Sequence, residues 1–289
     1  MKANIYKDNI KNWEDVEALN SGKIKKTDVY FKTGEVFKDV LKPNTLVRYI
    51  NRVEPYTVTY SLKEHAHLMK SKHMELISTS PDVLMAAMHD TFRKRVYGMV
   101  DVKGKVVLDV GACIGDSALF FAMHNAKSVL AYEPDPSMYS QLVSNIERNE
   151  YEGCVVPYWA GVGDEDGIAQ LQVCELPTQN HLLESECHYS SSQIKSVAVD
   201  IAGIGGILER EDVDMTKMDC QGSEYAILQK VIDKGLSLGD EVVVEAHTTD
   251  NGGNPGVAHE MMLALGYDVR YVEGSWDTPR ALIYGTKKI

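Results

Sequence analysis

The residues whose types and spacing could do chemistry sit in four short stretches. Asp109 precedes the turn Gly111-Ala112-Cys113-Ile114-Gly115-Asp116, and Glu133 opens Glu133-Pro134-Asp135-Pro136. Further on, Lys217 stands two residues before Asp219, and Glu245 two before His247. Residues two apart on a strand point to the same side, so each pair presents two polar groups together. Such pairs at the ends of apolar strands are costly unless partnered, and either a site or a buried ion pair would partner them. The first two stretches form a unit. The apolar run Val106-Val107-Leu108 ends in Asp109 and a glycine turn, Ser117 to His124 carries apolar residues at helical spacing, and the run Ser128 to Tyr132 ends in Glu133. A strand, glycine turn, helix, strand and acid in this order hold a nucleoside at the carboxyl ends of parallel strands. The acid can accept both ribose hydroxyls, because a carboxylate offers two oxygens and no donor.

The turn discriminates between cofactors. A dinucleotide fingerprint needs Gly-x-Gly-x-x-Gly so that the pyrophosphate can approach the backbone. Here Ala112 and Cys113 stand where that spacing is set. Asp109 and Asp116 flank the turn; two carboxylates would repel a pyrophosphate but attract a sulfonium and an α-amino group. One such contact at about 4 Å, with an effective dielectric near 20, is on the order of 4 kcal/mol before desolvation. The charge pattern therefore points to S-adenosylmethionine and disfavours an NAD-dependent oxidoreductase. A purely structural turn with a solvated acid is the plain alternative.

These residues need elements to position them. Residues 81–289 read as one domain and residues 1–80 as an N-terminal extension, a cap or substrate-binding region or the cover of a sheet edge. In the extension, Trp13 to Leu19 predicts a helix, Thr45 to Val53 and Tyr56 to Tyr60 predict strands, and Glu64 to Met74 predicts a helix carrying His65, His67 and His73 on the surface. From Ser80-Pro81-Asp82 a helix runs to Tyr97. After Glu133 come a helix over Met138 to Asn149 and strands at Cys154 to Trp159, Ile168 to Val173, Lys195 to Val199, Asp214 to Met218 and Glu241 to Glu245. Leu176 to Ser192 is an aperiodic loop placed near the substrate. Helices follow Asp219 and begin near Val257, and Tyr267 to Val272 with Arg280 to Gly285 predict a closing hairpin. Alternating strands and helices with a terminal hairpin make an α/β fold, a Rossmann-like, mostly parallel sheet with an antiparallel C-terminal hairpin.

Composition narrows the function classes. A formal net charge of −12 opposes non-specific nucleic-acid binding, which relies on Lys and Arg neutralising phosphates. The lysines between Lys23 and Lys26 read as a solvated face. No run of eighteen apolar residues is present, so no membrane span is expected. The first residues lack an apolar signal region, and the 5 scattered cysteines (113, 154, 174, 187 and 220) form no Cys-x-x-Cys pair. Both features predict a cytoplasmic protein with reduced thiols and no structural zinc.

Leu108-Asp109-Val110-Gly111-Ala112-Cys113-Ile114-Gly115-Asp116, Tyr132-Glu133-Pro134-Asp135-Pro136, Lys217-Met218-Asp219-Cys220-Gln221-Gly222-Ser223-Glu224-Tyr225 and Val243-Val244-Glu245-Ala246-His247 occur in that order. Together they resemble the FkbM family of class I S-adenosylmethionine-dependent methyltransferases over about residues 82–289. The resemblance implies the seven-stranded methyltransferase sheet and methyl transfer, commonly to a hydroxyl of a small molecule or sugar. It also implies that Asp109, Gly111, Ala112 and Gly115, with Asp116 beside them, surround the methionine part, that Glu133 holds the ribose, and that Val162 to Asp164 lie along the adenine. Two positions depart from the family: Cys113 stands where Asn is usual, and Gln221 where an acid is usual. The candidate base is His247, then Asp219, with Glu245 orienting the imidazole. A divalent metal on the same three residues is the alternative, and Glu224 is expected to satisfy the turn or cap the helix. Asn/Asp-Pro-Pro-Tyr of amino-methylating nucleic-acid enzymes is replaced here by Met218-Asp219-Cys220-Gln221-Gly222. A non-catalytic scaffold that keeps the fold is the remaining rival.

Overall fold

The computed structural model describes residues 2–50, 56–175, 177–182 and 193–287. The chain divides into two compact units, Met1–Val96 with Glu147–Asn149, and Tyr97–Ile146 with Glu150–Ile289.

The first unit contains α1 (Lys2–Asn9), α2 (Trp13–Asn20), the antiparallel pair β1 (Thr27–Tyr30) and β2 (Val36–Val40), α3 (Pro43–Ile50), the meander β3 (Thr57–Ser61), β4 (Ala66–Lys70) and β5 (Glu75–Ser78), and α4 (Pro81–Ala87). A π-helical turn, Met88–Arg93, extends α4. The core holds Phe31, Phe37 and Tyr49, whose ring centroids lie 4.9–5.2 Å apart. Two sequence expectations fail here. Thr45 to Ile50 is helical, not a strand, and 51–53 lie outside the described residues. Thr45, Leu46 and Tyr49 are buried at helical spacing, so packing overrides the strand preference of Thr45, Val47 and Ile50. The histidine segment is a strand hairpin rather than a helix. His67 is fully buried opposite Tyr60 and Ser78, while His65 takes φ +49 in the turn and His73 is exposed.

The second unit is built on a seven-stranded sheet of order β15-β16-β14-β13-β6-β7-β8. Its strands are β6 (Val106–Val110), β7 (Ser128–Tyr132), β8 (Val155–Tyr158), β13 (Met215–Met218), β14 (Glu241–His247), β15 (Tyr267–Glu273) and β16 (Arg280–Lys287). The five from β14 to β8 are parallel, and β16 runs antiparallel to both its neighbours. The helices are α5 (Asp116–Met123), α6 (Pro136–Arg148), α7 (Ile204–Arg210), α8 (Glu224–Lys234) and α9 (Pro255–Ala264). This is the Rossmann-like sheet with an antiparallel C-terminal hairpin that the strand–helix alternation predicted. Leu108, Val110, Leu130, Met218, Val242 and Val244 alternate along their strands into one core with Ile207, Leu228 and Val231 of the helices.

Between β8 and β13 the chain forms a second sheet of order β11-β10-β12-β9, from β9 (Gly161–Gly163), β10 (Gly167–Cys174), β11 (His181–Leu182) and β12 (Gln193–Gly203). The strands expected at Ile168 to Val173 and Lys195 to Val199 belong to it and pair with each other. Most of the expected substrate loop, 183–192 and residue 176, lies outside the described residues. The part inside carries a short 3-10 turn, Pro177–Gln179, and β11.

Candidate active site

The strand register assembles the site. Asp109 pairs in register with Lys217, and Met218 with both Val110 and Val244. The residues that follow, Gly111, Asp219 and Glu245, therefore emerge side by side at the carboxyl end of the sheet.

The glycine turn is tightly built. Gly111 has φ +77, and a Cβ on it would stand 1.9 Å from the Asp219 carbonyl oxygen, so only glycine lets the β6 and β13 ends approach. The Gly111 and Ala112 N–H groups both donate to the Tyr132 carbonyl at 3.0 Å. Gly115, at φ +89, starts α5, and a Cβ there would meet Leu142 at 2.6 Å. Cys113 is also left-handed, at φ +50. Its N–H donates to Glu133 Oε2 at 2.8 Å, and the Asp135 N–H donates to Glu133 Oε1 at the same distance. Burial pushes the Glu133 carboxyl up to about 7, against the pull of those two N–H groups. Two of roughly four acceptor positions are used, which leaves each oxygen able to accept one more hydrogen bond. That donor and acceptor set fits a ribose diol.

Asp109 lies on β6 just before the turn. It is fully buried, its Oδ2 accepts from Ser117 Oγ at 2.6 Å, and Lys217 Nζ lies 3.0 Å from Oδ1. Lys217 also donates to the Gly111 carbonyl at 2.7 Å. Burial opposes the ammonium charge, yet Asp109 and the neighbouring groups hold its pKa well above the ordinary lysine value. Asp116 is half-buried at the start of α5. Val162, on β9 of the smaller sheet, is buried in the main core with Leu130 and Tyr132, and Asp164 is exposed in the bend that follows β9.

The second cluster gathers around His247. Its Nδ1 lies 2.8 Å from Glu224 Oε1; its Nε2 lies 3.5 Å from Glu245 Oε1 and 3.9 Å from Asp219 Oδ1. The closest partner of the ring is thus Glu224, where Glu245 was expected. Glu224 is fully buried at the start of α8 and neither caps the helix nor meets solvent; among the described residues its Oε2 has no hydrogen-bond partner. The spacing of Glu224 held no signal of this contact, because it is made across 23 residues by two elements. Tyr225 O–H donates to the His247 carbonyl at 2.5 Å and fixes the end of β14. Gln221 donates to Asp219 Oδ1 at 2.9 Å, and Arg280 Nη1 to Glu245 Oε1 at 2.6 Å. Burial disfavours charge on His247, but Glu224 and the other carboxylates keep its pKa well above the usual histidine range. Burial and the nearby Glu245 push Asp219 up, while His247 and Arg280 hold Glu245 down against its burial.

Among the described residues, no helix is long and apolar enough to cross a membrane. The chain is 26% identical over 199 residues to Methyltransferase 1 of Beauveria bassiana, covering 62% of this chain and 78% of that protein. It is 27% identical over 143 residues to the hexuronic acid methyltransferase AglP of Haloferax volcanii, a match that spans 49% of this chain and 56% of that one. It is also similar to the crystal structure of methyltransferase FkbM from Methylobacillus flagellatus KT, at 14% identity and a TM-score of 0.44, over 71% of this chain and 54% of the other. The methyltransferase FkbM domain pattern matches residues 109–270, from the buried acid at the end of β6 into β15, and the chain belongs to that family.

Proposed function

We propose that the second unit is an S-adenosylmethionine-dependent O-methyltransferase acting on a hydroxyl of a small molecule or sugar. The observation that carries this reading is Glu133. Its buried carboxylate is bound to the glycine turn and keeps acceptor capacity for a diol, within a domain of a methyltransferase family. Gly111, Ala112 and Gly115 shape the turn, Asp116 offers the nearby charge for an α-amino group, and Val162 and Asp164 are assigned to the adenine side. Asp109 acts through Lys217, whose ammonium is hydrogen-bonded to the turn.

Bound there, S-adenosylmethionine would supply an electrophilic methyl carbon for a C–O bond to the acceptor, the C–S electron pair staying on sulfur. The chain must then hold the acceptor in line and take its proton. Positioning alone contributes several kcal/mol, on the order of the 7–11 kcal/mol seen for well-oriented pairs. Asp219 stands at the strand end beside the turn as the proton acceptor. His247, which Glu224 and Glu245 hold in its charged form, stabilises that carboxylate and reaches the acceptor role only when a bound substrate draws its proton away. The printed substrate class of AglP, a hexuronic acid, supports a sugar hydroxyl as acceptor. The net charge of −12 supports an acceptor other than nucleic acid.

Isothermal titration with S-adenosylhomocysteine, with NAD as control, tests the cofactor. Micromolar binding that disappears in Glu133→Ala is the expected result, followed by a screen of hydroxylated acceptors with labelled methyl donor. Binding of NAD alone would overturn the reading, and binding of neither would indicate a scaffold.

A further inference from the structure

We infer that Asn180 is a positioning residue for the cofactor's ribose: it fastens segment 177–182 to turn 133–135 and thereby holds a main-chain N–H on Glu133. This rests on the reading of Glu133 as the ribose acid and names the residue that keeps that acid in place. The contact is made across 45 residues, from the stretch between β10 and β11 to the end of β7.

The hydrogen bonds form an unbroken chain. The Cys174 N–H donates to Asn180 Oδ1 at 2.8 Å, and Asn180 Nδ2 donates to Asp135 Oδ2 at 2.9 Å. The Asp135 N–H in turn donates to Glu133 Oε1 at 2.8 Å. Asp135 Oδ1 is occupied separately, accepting from the Ser137 and Met138 N–H groups at 2.7 and 2.9 Å at the start of α6. Starting the helix therefore needs only Oδ1, and the bond from Asn180 to Oδ2 serves another end. Asp135 is 3% exposed, and among the described residues Asn180 alone donates to that oxygen. A buried carboxylate oxygen left without a donor is costly, so Asn180 fixes the rotation of the Asp135 side chain and the turn that carries it. An amide suits the place because it accepts from β10 with one end and donates to Asp135 with the other. The turn is gripped on its other sides as well. Trp159 Nε1 donates to the Pro134 carbonyl at 3.1 Å, and the Cys113 N–H holds Glu133 Oε2.

The electrostatics give the inference a readout. Burial raises Glu133, the charge of Asp135 adds to the rise, and the N–H groups of Asp135 and Cys113 with Lys217 of β13 oppose it. The Cys113 thiol of the glycine turn also faces it. Without Asn180 the Asp135 charge is less compensated and its N–H less well aimed, and both changes move the proton loss of Glu133 upward.

The full chain is titrated with S-adenosylhomocysteine by calorimetry at several pH values on either side of neutrality. Asn180→Ala should weaken binding about threefold to tenfold and move its pH midpoint upward. Asn180→Asp should weaken it further, because two carboxylates then meet. Adding Asp135→Asn to Asn180→Asp exchanges donor and acceptor, rebuilds the bond and should restore affinity, with a midpoint no higher than the original. Thermal unfolding checks that each variant folds; a merely structural contact lowers Tm without moving the midpoint. Unchanged affinity and midpoint in folded Asn180→Ala overturn the inference, as does a double variant that binds no better than Asn180→Asp. In parallel, the Glu133 carboxyl is titrated in the cofactor-free chain by carbon-13 NMR. Absence of S-adenosylhomocysteine binding to the unsubstituted chain sinks the cofactor reading, and the NMR titration then decides the hydrogen-bond chain by itself. An upward shift in Asn180→Ala supports it, and an unchanged value overturns it.

Discussion

At the residue scale, Glu133 has the sharpest consequence. Only its carboxylate can accept from two hydroxyls, and burial places its proton loss near pH 7. Raising pH above 7 therefore favours the binding form, and lowering it removes that form by about tenfold per unit. Affinity for S-adenosylhomocysteine should fall about tenfold between pH 8 and pH 6, read by calorimetry. In Glu133→Gln it should be weaker throughout and lose this dependence. The two departures from the family pattern both lie in left-handed turns at strand ends. Cys113 (φ +50) and Gln221 (φ +56) are both left-handed, a conformation that Asn tolerates and that costs most other residues about 1 kcal/mol. At 221 the amide donates to Asp219, whereas an acid there would face a like charge.

At the element scale, the join between β6 and β13 depends on a charge pair with almost no access to water. Lys217 and Asp109 are 3% and 0% exposed at the side chain. Removing one partner strands the other, so Lys217→Met should cost about 3–5 kcal/mol in denaturant unfolding. The double variant Lys217→Met with Asp109→Asn should recover a large part of that loss. Equal losses in the single and double variants would show that the pair is not the source. The pairing was half legible: Lys217 and Asp219 share a strand side by simple alternation. That the partner of Lys217 is Asp109, from a distant strand, follows only from the parallel register.

At the scale of the whole molecule, acid sensitivity should originate in the first unit. Burial holds His67 down at about 4, against smaller upward pulls from Ser78, Asp39 and Asp28. Its Nε2 accepts the Lys38 N–H at 2.8 Å, which requires the neutral ring. The unfolded chain, with an ordinary histidine near 6.5, binds more protons between these values, so stability is complete above about pH 6.5 and is lost as pH falls toward 4. The loss amounts to about 3 kcal/mol at the lower limit. Thermal unfolding from pH 7 to pH 4.5 should show it, and His67→Gln, which can keep the acceptor, should flatten the curve. An identical pH profile in the variant would place the sensitivity elsewhere.

Local chemistry decides what a sequence can reveal by itself, and here that was the order of strand, glycine turn, helix, strand and acid around Asp109 and Glu133, with the polar ends of β13 and β14. Apolar periodicity and glycine turns act over a few residues, so β6, β7, α5 and the closing hairpin were legible within a residue or two. Tertiary structure alone decided that Thr45 to Ile50 is helical, that His67 is buried in a hairpin, and that β9 to β12 form a separate sheet. It also chose Glu224 as the partner of His247 and Asp109 as that of Lys217. Each of these depends on which distant surfaces exclude water together. Burial energy and partner choice are properties of the packed chain, and no local pattern of residues encodes them.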